Sequence, residues 1–108
     1  MHGLNKEINF FIGCSLKEIT ADTGNIYLKF TNGISINIES AVFFGHVIAG
    51  IGGNELKKLI NHKIVDAEPI GKGNLSLVFD NNEQIIIFEL DMPYESYTIQ
   101  TPEGLVIV

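Results

Sequence analysis

A strictly alternating hairpin that occurs twice constrains this chain more than any other feature. In Asn25-Ile26-Tyr27-Leu28-Lys29-Phe30, one face takes Ile26, Leu28 and Phe30, and in Ile34-Ser35-Ile36-Asn37-Ile38-Glu39 one face takes three isoleucines. Period two belongs to a strand with one buried face. Thr31-Asn32-Gly33 joins the two runs, and asparagine and glycine tolerate the positive φ of a hairpin turn. The same sentence is written again in Asn74-Leu75-Ser76-Leu77-Val78-Phe79, Asp80-Asn81-Asn82 and Glu83-Gln84-Ile85-Ile86-Ile87-Phe88. Aligning residues 12–19 with 60–67 and 25–38 with 74–87 gives identities at Ile12/Ile60, Asn25/Asn74, Leu28/Leu77, Phe30/Phe79, Asn32/Asn81, Ile36/Ile85 and Ile38/Ile87. The agreement extends upstream of the hairpin, which indicates an internal duplication.

Each repeat reads as a three-strand meander: Ser15–Ala21, Ile26–Phe30 and Ile34–Glu39, then Lys63–Ile70, Leu75–Phe79 and Gln84–Leu90. Flanking strands are expected at Ile8–Ile12, Ala41–His46, Glu95–Thr101 and Leu105–Val108. One short helix is expected near 54–61, with Asn54 as N-cap and Lys57 and Lys58 placed to suit the helix dipole. The fold class is therefore mainly β: an antiparallel sandwich or barrel of two similar three-strand repeats plus one short helix. At 108 residues the chain is one domain, with repeat-like halves at about 12–39 and 60–90. Ile26, Leu28, Phe30, Ile36, Ile38, Leu75, Leu77, Phe79, Ile85 and Ile87 form the expected core. Ile85-Ile86-Ile87-Phe88 is apolar on both faces, which predicts a central strand covered on both sides, with the helix as one cover. Gly45–Gly53 reads as an apolar connector between the repeats.

Motifs for chemistry fail. Gly45 to Gly52 opens like a phosphate loop but has Ile51 and Gly52 where lysine and a hydroxyl are needed. His2, His46 and His62 share no ligand spacing, and Cys14 sits among Ile12, Gly13 and Leu16 as a buried thiol without a local base. The expectation is no enzyme, no metal and no cofactor. No targeting segment is visible and the apolar stretch Ala41–Gly53 is too short to span a bilayer, so the reading is a cytoplasmic protein, monomeric or weakly homodimeric.

Charge says more. A net charge of −6, with no arginine, argues against nucleic acid or an anionic membrane as partner. After Lys72 no basic side chain follows, while Asp80, Glu83, Glu89, Asp91, Glu95 and Glu103 do. Asp66/Glu68 and Glu89/Asp91 lie at strand spacing two, and Tyr94 and Tyr97 stand among the acids. A solvated face accounts for such charge without a partner. The functional alternative is a docking surface for a basic protein, built from Asp66, Glu68, Glu89, Asp91, Tyr94, Glu95 and Tyr97, with the tyrosines as anchors.

The recurrence over Leu16–Ile38 and Ile64–Ile87, with Tyr94-Glu95-Ser96-Tyr97 and the closing Gly104–Val108, resembles small bacterial immunity-type proteins of contact-dependent growth inhibition and polymorphic toxin systems. It departs from them at Tyr97, where tryptophan is frequent, and at Asn82, which replaces the turn glycine. The resemblance implies a cytoplasmic protein that binds a cognate toxin domain, commonly a nuclease, and blocks its active site. The alternative is a small-ligand-binding β-barrel or sandwich, its cavity lined by Phe10, Phe11, Phe30, Phe43, Phe44 and Phe79.

Overall fold

The structure, a computed structural model, describes residues 8–22, 25–39, 42–44, 47–48, 54–71, 73–88 and 97–107. It is mainly β, with two antiparallel sheets of five strands each. In chain order the strands are β1 (Leu16–Asp22), β2 (Asn25–Phe30), β3 (Ser35–Ile38), β4 (Val42–Phe44), β5 (Val47–Ile48), β6 (Ile64–Ile70), β7 (Asn74–Phe79), β8 (Gln84–Ile87), β9 (Tyr97–Thr101) and β10 (Gly104–Ile107). The first sheet runs β1-β2-β3-β9-β10 and the second β5-β4-β8-β7-β6.

The duplication is present strand by strand. Leu28 pairs with Ile36 as Leu77 pairs with Ile85, and Ile26 pairs with Ile38 as Leu75 pairs with Ile87. Even the irregularities match: the ladder slips between Leu16 and Glu18 in β1, and between Ile64 and Asp66 in β6. The repeats meet at a Ser15–Lys63 bridge, where the backbone hydrogen bonds come in twin pairs. The Leu16 N–H donates to the His62 carbonyl as the Ile64 N–H donates to that of Cys14, and the Gly13 N–H donates to Ile64 as the Asn61 N–H donates to Leu16. Gly13 and Asn61 occupy matching left-handed positions, which glycine and asparagine adopt at the least steric cost. This is a pseudo-twofold axis.

Beyond the meanders, each repeat hands its last two strands to the other. β4, which follows β3 in the chain, pairs with β8, and β9, which follows the second meander, pairs with β3. The inner faces form one core, and all ten residues expected there are buried except Ile26, which packs against it half-buried. Phe11, Phe30 and Phe79 join that core, with Phe11 and Phe30 edge to face at 5.9 Å.

Three expectations need correction. Ile8–Ile12 is not a strand: Asn9–Phe11 forms a 3-10 turn that buries Ile8 and Phe11, three residues apart. The helix near 54–61 is a six-residue 3-10 helix, Asn54–Leu59, which buries Leu56 and Leu59 at the same spacing. That helix does not cover β8. It packs against β1, as the 3-10 turn packs against β6, so the outer faces of Ile86 and Phe88 stay partly exposed on a strand that is nevertheless central. Most of Gly45–Gly53 lies outside the described residues, apart from β5. No helix among the described residues is long and apolar enough to cross a membrane.

Candidate functional site

The acidic surface that can be placed lies on β6. Asp66 and Glu68 are both exposed, and their spacing of two aims them to the same side of the second sheet, away from the buried Ala67 between them. Asp66 pairs in register with Val78, and Glu68 with Ser76. Ser76 is buried on this outer side because the Gln84 side chain folds over it, its amide nitrogen donating to Ser76 Oγ at 2.8 Å. β6 is an edge strand, and Pro69 within it has no N–H to offer an added strand.

The equivalent corner of the first sheet is built differently. Glu18 occupies the Asp66 position and pairs in register with Lys29, whose Nζ lies 3.9 Å from Glu18 Oε1. Val78 stands in the place of Lys29 opposite Asp66, and neither Asp66 nor Glu68 has an ion-pair partner among the described residues.

Tyr97 does not join this surface. It is fully buried on β9 and its hydroxyl donates to the Gly73 carbonyl at 2.7 Å. The bond crosses from the first sheet to the β6–β7 turn of the second, so Tyr97 is a core tie and not an exposed anchor. By register Val42 is its twin, and valine carries no hydroxyl. Glu89, Asp91, Tyr94 and Glu95 lie outside the described residues.

Other chemistry-bearing groups serve the fold. Cys14 is buried, and its Sγ accepts from Asn32 Nδ2 at 3.5 Å. His62 Nδ1 lies 2.7 Å from Asp80 Oδ1, and the Lys63 N–H donates to Asp80 Oδ2 at 3.3 Å. Across the axis the Ser15 N–H donates to Thr31 Oγ1 at 3.0 Å, which makes the Asp80 bond to Lys63 one half of a symmetric turn motif. The described residues hold no cluster of three or more metal-ligating side chains.

The hydrogen bond to His62, and then that from the Lys63 N–H, hold the Asp80 carboxyl below the ordinary 3.8 of an aspartate. A depressed folded-state value stabilises the fold above about pH 4, and that contribution is lost as pH falls through the lowered value. The gap in urea midpoint between wild type and Asp80→Asn should therefore narrow between pH 5 and pH 2. A gap that stays constant over that range would show the pair contributes nothing; its exposure keeps the effect small in any case.

No protein-family model, no curated protein and no solved structure matches this chain.

Proposed function

We propose that this protein is an immunity-type inhibitor that binds a cognate toxin domain, a nuclease in the simplest case, and occludes its active site without catalysis. The observation that carries the reading is the pair of exposed carboxylates, Asp66 and Glu68, with no ion-pair partner among the described residues, on an edge strand of a chain whose net charge is −6. A nuclease cleft is cationic because its substrate is a polyanion, and an acidic surface that meets such a cleft speeds encounter and excludes wrong partners. The packing of Phe11, Phe30 and Phe79 into a common core further supports a binding module over a ligand barrel, whose cavity those rings would have to line.

The test first asks whether a neighbouring gene encodes a toxin domain, and then measures stopped-flow association with that domain at two ionic strengths. Asp66→Asn with Glu68→Gln should slow association and flatten its dependence on salt, while dissociation changes little, as exposed rim charges do. Glu89, Asp91 and Glu95, neutralised together, form the second arm. Unchanged rates and salt slopes in both variants would remove the charge mechanism.

A further inference from the structure

The duplication supplies an internal control on which surface residues the fold requires. At inward positions the repeats agree: Leu28 and Leu77, Phe30 and Phe79, Ile36 and Ile85, Ile38 and Ile87. At outward positions Asn25 and Asn74 agree, Tyr27 gives way to Ser76 and Ser35 to Gln84, and other places turn apolar in the second sheet. Lys29 and Asn37 of the first sheet correspond by register to Val78 and Ile86 of the second, and Glu39 corresponds in sequence to Phe88, each one residue past its strand. The first sheet shows that this architecture accepts a cation, an amide and a carboxylate at those places, so folding does not demand apolar side chains there. Yet Val78, Ile86 and Phe88 are only partly buried, and Ile70, on the same side of β6, is exposed. On this face Val78 and Ile86 stand diagonally with the Ser76–Gln84 hydrogen bond between them, a mixed apolar and polar surface of the kind that protein interfaces present.

We infer that the outer face of the second sheet, centred on Val78 and Ile86 and flanked by Asp66 and Glu68, is the docking surface for the toxin domain, and that the contacting surface presents apolar side chains bordered by lysine or arginine. This rests on the function proposed above and names the site for it. Charge complementarity selects the occupant. Glu18 has Lys29 beside it, whereas Asp66 faces Val78 in the same register, so the carboxylate at the rim is left for a cation that the neighbouring strand does not provide. Pro69 on the edge strand disfavours strand addition there, which directs contact to the face.

The test transplants the first sheet's residues onto the second. Val78→Lys, Ile86→Asn and Phe88→Glu, combined, place at matching register positions residues that the fold already accommodates. The mirror variant, Lys29→Val with Asn37→Ile and Glu39→Phe, changes the other face. Asn37 Oδ1 is buried with no hydrogen-bond partner among the described residues, so isoleucine there removes an unmet acceptor. Calorimetric titration with the adjacently encoded toxin domain, alongside a thermal melt of each variant, should show at least about tenfold weaker binding for the first variant and wild-type affinity for the mirror. Should the triple variant fail to fold, Val78→Lys alone, which rebuilds the Glu18–Lys29 arrangement around Asp66, should still weaken binding several-fold. Wild-type affinity in every second-sheet variant would overturn the assignment while leaving the inhibitor reading intact. Failure of the wild type to bind would overturn that reading and this inference together. A wild-type dimer that the triple variant abolishes would assign the face to a second copy of this chain and overturn the stated partner.

Discussion

Phe79→Ala should destabilise the protein by about 3–5 kcal/mol, the range for deleting a fully buried aromatic ring and leaving a partly collapsed cavity. Phe79 has no exposed surface, pairs with Ile64 where β6 leaves the axis, and anchors the turn that Asp80 closes. Room for the surroundings to collapse is small, because Leu75, Leu77, Ile85 and Ile87 are held by ladders on both sides. For a domain of this length the loss corresponds to a fall in melting temperature of roughly 15 °C or more. Phe30→Ala, at the twin position, should lose a similar amount, since Phe30 is also buried and meets Phe11 edge-on. Denaturant titration of both variants is the measurement. A loss below about 1 kcal/mol at either site would contradict the packing described for it.

Tyr97→Ala should lose a comparable amount, again about 3–5 kcal/mol, and Tyr97→Phe separates its two parts. The phenylalanine keeps the buried ring and removes the hydroxyl, so the Gly73 carbonyl loses a donor inside the protein, at about 1–3 kcal/mol. Gly73 is itself buried, so water does not readily replace the lost donor. Urea unfolding of both variants, with affinity for the toxin domain measured well below the unfolding transition, distinguishes a structural tyrosine from a contacting one. The structural assignment requires Tyr97→Phe to bind as tightly as wild type once it is folded. Weaker binding by a folded Tyr97→Phe would return this residue to the interface.

The duplication and the core were readable because period two is a local property: Leu28, Phe30, Ile36 and Ile38 alternate with polar neighbours whatever lies across the sheet. The choice of sheet for β4 and β9 was not readable, since alternation fixes which face of a strand is buried and not which strand lies beside it. Ile8–Ile12 misled because it is apolar nearly throughout, and a spacing of three cannot be picked out of such a short run. Tyr97 read as a surface residue through its acidic neighbours in sequence, but its position is set by Ile38, its partner on β3. The apolar outer face has its own trace in the sequence. The alignment that pairs Phe30 with Phe79 also pairs Lys29 with Val78 and Asn37 with Ile86, and a charge or amide replaced by an aliphatic at a solvent-facing position is visible in one sequence compared with itself.

The exchange of strands between the repeats bears on how the chain is made. During synthesis β1, β2 and β3 leave the ribosome well before β9, the strand that covers the open side of β3, which begins at Tyr97. Until then the open side of β3 presents unpaired N–H and C=O groups beside Ile36 and Ile38, the kind of edge that recruits foreign strands. A nascent chain stalled before β9 should therefore engage a holding chaperone, and release should follow emergence of the last strands rather than completion of the first meander.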